Sequence, residues 1–164
     1  MNTELAPEIK RTPANSLLLR EMPEGCKLCI RGAKLVLFVT GICNHSCYYC
    51  PLSEKRRGKD VVYANERPVK SYADILEEAR LMDALGTGIT GGNPALKFKR
   101  VIRYLKLLKR EFGKEHHVHM YCIGALPNEK LKELKDAGLD ELRFHTWTGA
   151  VSYTHLTLPT KRIV

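Results

Sequence analysis

"KLVLFVTGICNHSCYYCPLS", residues 34–53, joins two signals in one stretch. Its first eight residues are a continuous apolar, β-branched run, the pattern of a strand buried on both faces. The residues that follow carry Cys43, Cys47 and Cys50 with the spacing C-x3-C-x2-C. The cysteines therefore sit in the loop leaving the carboxyl end of that strand. Three thiols so close together are too many for a core and an awkward number for a disulfide.

Outward from this stretch, strands and helices alternate. "SYADILEEARLMDALG" opens on a capping box, Ser71 with Asp74, and carries an apolar stripe of Ile75, Leu76, Ala79, Met82 and Leu85, with Gly86 as its stop. A short strand, "TGIT", runs into "GGNP". A second helix is expected over 97–112, with Phe98, Val101, Ile102, Leu105 and Leu108 inward and Gly113 after its end. "HVHMYCIG" reads as a strand, "NEKLKELKDAG" as a helix capped by Asn128 and ended by Gly138, and "ELRFHTW" as a fourth strand. Residues 51–70 read as a long basic loop with a short strand at "DVVYA". This alternation calls for right-handed crossovers and a parallel sheet with helices outside, an α/β fold whose ligands gather at the carboxyl ends of the strands. The cysteines and "GGNP" both fall there.

Residues 1–34 form an extended lead-in punctuated by Pro7, Pro13, Pro23 and Gly25, and contain a second pair, Cys26 and Cys29. Residues 35–149 form the core. Residues 150–164, from Ala150 on into "VSYTHLTLPTKRIV", lack any 3.6-residue stripe where a helix is due, and read as a foreign or irregular tail.

The 164 residues suffice for one domain with a real core. No run approaches the roughly 18 apolar residues of a membrane span, and no signal peptide is evident, which points to the cytoplasm and to reduced thiols. Cysteines in that setting read as metal-binding or catalytic. The formal charge of +9 lies on helix faces (Lys97, Lys99, Arg100, Arg103, Lys106, Lys109, Arg110) and in one loop (Lys55, Arg56, Arg57, Lys59). No aromatic residues interleave the loop cluster, so solvated surface with some anion attraction outweighs nucleic acid as its reading.

A structural zinc site wants four closed ligands, and His45 is poorly placed to join its neighbours on one ion. A [4Fe–4S] cluster held by three thiolates keeps one iron open for an exogenous chelator. Here the motif "CNHSCYYC" resembles the signature of the radical S-adenosylmethionine superfamily, C-x3-C-x-φ-C with Tyr49 as the aromatic φ, and "GGNP" resembles that family's second motif, usually G-G-E-P. The longer context resembles the archaeal-type group related to pyruvate formate-lyase activating enzymes. The resemblance implies a partial parallel (β/α)6 barrel of which about four units are present. It implies that Cys43, Cys47 and Cys50 ligate the cluster and that Tyr49 lies beside the adenine. Gly91, Gly92, Asn93 and Pro94 would shape the turn that receives the methionine amino group. Asn93 replaces the usual Glu and loses charge assistance. The implied cofactors are the [4Fe–4S] cluster and S-adenosylmethionine. The implied partners are a low-potential electron donor of flavodoxin or ferredoxin type and a substrate that the sequence does not name, with a partner protein favoured and RNA or a small molecule as the alternative.

Cys122 reads as a small buried residue with a lesser claim to a role, His145 as a core-edge histidine that could meet cofactor or substrate, and His116, His117 and His119 as structural groups at the wrong edge. A non-enzymatic alternative is an iron–sulfur or zinc module, with Cys26 and Cys29 completing a zinc set. Four of six units would leave part of an apolar barrel interior open to water, so this chain is expected to be poorly soluble or inactive.

Overall fold

The computed structural model describes residues 9–12, 17–19, 21–48, 50–145 and 156–159. In chain order its elements are strands β1 (Ile9–Arg11) and β2 (Leu17–Leu19), helix α1 (Glu24–Ile30), strands β3 (Lys34–Phe38), β4 (Tyr63–Ala64) and β5 (Arg67–Pro68), and helix α2 (Tyr72–Leu81). Then come β6 (Gly86–Thr90), a 3-10 turn (Pro94–Lys97), α3 (Phe98–Phe112), β7 (His117–Ile123), α4 (Asn128–Asp136), β8 (Glu141–His145) and β9 (Leu156–Pro159). The main sheet runs in the order β5-β4-β3-β6-β7-β8-β9, and β3, β6, β7 and β8 are parallel neighbours. The hairpin β4-β5 and strand β9 flank them antiparallel. The sheet is open, an incomplete barrel.

Alternation along each strand divides the sheet into two unlike faces. Leu35, Leu37, Val39, Ile89, Val118, Met120, Cys122 and Leu142 pack on Ile75 and Ala79 of α2, Val101, Leu105 and Leu108 of α3, and Leu134 of α4. The opposite face carries Lys34, His117, His119, Tyr121, Glu141 and Arg143, joined by hydrogen bonds. The interior expected to be apolar is polar, because in "HVHMYCI" and "ELRFH" every second residue is the polar one.

Local expectations hold where capping and periodicity agree. Asp74 accepts the Ser71 amide at 2.7 Å and the Lys70 amide at 2.9 Å, starting α2 as the capping box requires. That helix stops at Leu81 rather than at Gly86, through Asp83 at φ 49°. Gly86 instead opens β6, where a Cβ would lie 2.4 Å from the His117 carbonyl oxygen. Leu85, assigned to the apolar stripe, is exposed. The cap of α4 is Pro127, one residue before Asn128.

The lead-in is not wholly extended. Its residues 24–30 coil into α1, which Glu24 favours at the positive helix end and whose Leu28 is buried. Gly25 packs against Arg143, Glu141 and His117, so α1 covers the amino ends of the strands. Strand β9 falls within the tail read as foreign or irregular. An open sheet edge pairs with whatever extended chain reaches it, so this pairing carries no information on the segment's origin. Among the described residues no helix is long and apolar enough to cross a membrane.

Candidate functional site

The loop after β3 is held from below by its own backbone. Gly41 donates to the Lys59 carbonyl at 2.8 Å and accepts from Gly58 at 2.9 Å, and a Cβ at Gly41 would overlap the Arg56 carbonyl oxygen. The basic loop is thereby folded onto the strand end. Arg56 lies over the Tyr63 ring and pairs with Glu66, and Arg57 reaches the carbonyls of Cys50 and Leu52 at 3.2 and 3.3 Å. Two of the four loop bases are thus internal staples. Asp60 accepts from Thr40 Oγ1 at 3.0 Å and from both terminal nitrogens of Arg100 at 2.6 and 3.0 Å, with Lys97 at 2.8 Å. The hydrogen bond from Arg100, ahead of those from Lys97 and Thr40, holds its carboxyl well below the usual carboxylate range despite some desolvation.

The second wall is the turn after β6. Gly92 donates to the Thr40 carbonyl at 2.8 Å and Asn93 to that of Ile42 at 2.9 Å. Gly91 has φ +150°, and a Cβ there would sit 2.4 Å from the Thr40 carbonyl oxygen; one on Gly92 would sit 2.4 Å from that of Ile42. Only residues without side chains allow the two loops to approach this closely. Asn93, 3% exposed, accepts from the Ala95 amide at 3.2 Å and donates to Asn44 Oδ1 at 3.0 Å. Its amide ties the turn to the cysteine loop, a bridge that a carboxylate facing the Asn44 oxygen would not make. Pro94 is buried at the head of the 3-10 turn.

Between these walls lies a cavity of about 280 Å³. Cys43, Cys47 and Cys50 line it, with Gly91 and Gly92 across from them and Cys122 and His145 at the ends of β7 and β8. Thus the expected cysteines and glycines meet in one place, Asn93 and Pro94 stand behind them, and Tyr49 lies outside the described residues. Among the described residues no three ligating side chains are already gathered at metal distance. The sulfurs share a wall rather than a point. Such sites commonly assemble on the metal itself.

Tyr121 also reaches this cavity, and sequence reasoning missed it. Its signal was present, since alternation puts it on the face of His117 and His119. Its hydroxyl accepts from Arg143 Nη1 at 2.7 Å. Cys122 is 1% exposed, and burial pushes its thiol up to about 12.

Cys26 and Cys29 lie elsewhere. Both are on α1, and Arg143 donates to Cys26 Sγ at 3.3 Å at the amino edge of the sheet. They do not join the later cysteines, so the four-cysteine zinc set fails by a strand's length. Beside them Lys34 Nζ bonds His117 and His119 at 2.8 and 2.7 Å. Burial pulls Lys34 down to about 8 and His119 down to about 2. His116 falls to about 4 for the same reason, helped by the charge of Lys109. The three histidines are at the edge away from the cavity, as their structural reading requires.

Fold and site define a class: an open parallel α/β barrel whose carboxyl edge opposes a three-cysteine loop to a double-glycine turn. The model of the radical SAM superfamily matches residues 37–146, two thirds of the chain. The chain belongs to that superfamily, whose members are enzymes that use a [4Fe–4S] cluster and S-adenosylmethionine. It is also 57% identical over 126 residues to a protein of Methanocaldococcus jannaschii that bears the provisional name of glycyl-radical enzyme activating enzyme. That match covers 76% of this chain and 33% of the relative, so the chain spans about a third of the relative's length. No solved structure matches.

Proposed function

We propose that this chain is the cluster- and cofactor-binding part of an enzyme that cleaves S-adenosylmethionine reductively and takes a hydrogen atom from a partner protein. One observation carries the reading: the cysteine loop after β3 and the glycine turn after β6 face each other across a single cavity. The donor set fits the cluster, and the two glycines leave a cradle that a Cβ would fill. When bound, the cluster and S-adenosylmethionine supply the electron transfer and hydrogen abstraction.

The chain's own residues bind and orient. Cys43, Cys47 and Cys50, once deprotonated, are the metal ligands. The amides of Gly92 and Asn93 are committed to Thr40 and Ile42, so the carbonyls of this turn are the groups to receive an ammonium. Asn93 acts through Asn44 by holding the turn against the loop; the adenine contact that the resemblance implies for Tyr49 falls outside the described residues. A protein substrate, as in glycyl-radical-enzyme activation, extends to this chain from the relative's name by likeness alone; a low-potential flavodoxin- or ferredoxin-type reductant is what the superfamily's reductive chemistry calls for.

Anaerobic reconstitution with iron and sulfide tests the reading. A brown species whose electron paramagnetic resonance spectrum changes on addition of S-adenosylmethionine is expected, and Cys47→Ala is expected to lose it. One equivalent of zinc with no colour, or an unchanged cluster in Cys47→Ala, overturns the proposal.

A further inference from the structure

Helix α3 carries a row of cations that nothing in the described structure neutralises. Its solvent-exposed positions are Lys99, Arg103, Lys106, Arg110 and Glu111. The first four recur at intervals of four, three and four, so they lie along one stripe of the helix, about 16 Å long at 1.5 Å per residue. No ion pair engages any of the four among the described residues; Arg103 makes one hydrogen bond, to the Lys99 carbonyl at 3.3 Å.

The neighbouring bases behave differently. Lys97 and Arg100 are paired with Asp60, and Lys109 with Asp140 at 2.7 Å. The one exposed acid of the helix, Glu111, is engaged by Arg80 of α2. Lys106 lines a shallow groove together with Glu129, Lys132, Glu133 and Asp136 of α4, none of which is in ion-pair contact with it. On α3, each base turned toward the body of the protein has an ion-pair partner, and among the described residues none of the four turned outward has one.

This arrangement costs helix stability. Like charges at i,i+4 repel, and cations in the first turn oppose the helix dipole, where α3 has no acidic residue at all. An exposed helix gains by interleaving signs, as α4 does with Glu129, Lys130, Lys132, Glu133, Lys135 and Asp136. The aromatic side chains of α3 are turned inward: Tyr104 is 6% exposed, and Phe98 and Phe112 pack against the core. The row therefore offers no stacking platform for bases, and the groove beside it is lined by Glu129, Glu133 and Asp136, which repel a nucleic-acid backbone.

We propose that Lys99, Arg103, Lys106 and Arg110 form a docking surface for an acidic protein face that presents carboxylates at helical spacing. The surface stands independently of the cluster chemistry. A fluorescent helical peptide with glutamates at i, i+4, i+7 and i+11 tests it by anisotropy against the full chain. The comparison peptide has the same composition, with its glutamates spread around the helix. The row variant combines K99E, R103E, K106E and R110E; a control of equal net charge, away from the row, combines K55E, K70E, K114E and K130E, and circular dichroism verifies folding of both. The matched peptide is expected to bind, to weaken as salt rises, and to lose roughly tenfold with the row variant, about a factor of two per rim charge, but under twofold with the control. Equal losses in both variants, equal binding of the two peptides, or displacement of the peptide by a 20-base-pair RNA duplex at lower concentration would overturn the proposal.

Discussion

Gly92 has no room for a methyl group, because a Cβ would sit 2.4 Å from the Ile42 carbonyl oxygen and 2.9 Å from that of Gly41, both main-chain atoms that bend reluctantly. Gly92→Ala is therefore expected to destabilise the protein by about 1–3 kcal/mol and to lower the iron retained after reconstitution. Unchanged urea unfolding would show that the two loops do not approach as described. Thiol chemistry separates the remaining cysteines. Cys29 is exposed, whereas Cys122 is buried and pushed up to about 12, leaving roughly one molecule in ten thousand as thiolate at pH 8. In the native protein iodoacetamide is expected to modify Cys29 early and Cys122 last, as read by peptide mass spectrometry. Comparable rates at the two positions would contradict the buried placement of the β7 end.

At the scale of elements, α3 joins the core to the site. Leu105 is fully buried between this helix and the sheet, and Leu105→Ala is expected to cost about 2–5 kcal/mol by chemical denaturation. Arg100, from the same helix, reaches the Val39 carbonyl at 2.7 Å and Asp60 through two nitrogens, locking the start of the cysteine loop. A double-mutant cycle of Asp60→Ala and Arg100→Ala is expected to give a coupling of about 1 kcal/mol, given partial exposure. Strict additivity would mean that the bidentate pair contributes nothing. Asp60 titrates below its unfolded value, so its contribution is present above about pH 4 and is lost on acidification below that.

For the molecule as a whole, buried histidines make stability depend on pH. His116 and His119 are held at about 4 and about 2, chiefly by burial, against 6.5 for the free side chain. Below pH 6.5 the unfolded chain binds protons that the folded chain refuses, so stability falls on acidification, by up to about 1.4 kcal/mol per pH unit for each histidine. Urea midpoints measured at pH 7.5, 6.5 and 5.5 are expected to drop across the last interval; a flat profile would place these rings in contact with water. Lys34 acts on the alkaline side. Its folded value of about 8 lies below its unfolded 10.5, so the cost of its buried charge is relieved and stability rises as pH climbs through that window.

Periodicity and punctuation made the alternating strands and helices legible in advance, and with them the carboxyl edge that carries Cys43, Cys47, Cys50, Gly91 and Gly92. Those signals are local: a strand or an amphipathic helix announces itself within a dozen residues, and parallel topology then fixes which loops share an edge. The helical turn at Cys26 was hidden because seven residues between Pro23 and Gly32 carry too little periodicity to read. Which way each strand's two faces point is a tertiary matter. Only the packed structure turned "HVHMYCI" so that its aliphatic residues meet the helices and its histidines and Tyr121 meet Lys34 and Arg143. The same packing separated Cys26 and Cys29 from the other thiols and bound Asn93 to Asn44 across 49 residues of chain. Distances between loops that are far apart in sequence are set by how helices seat on a sheet, and no single segment contains that information.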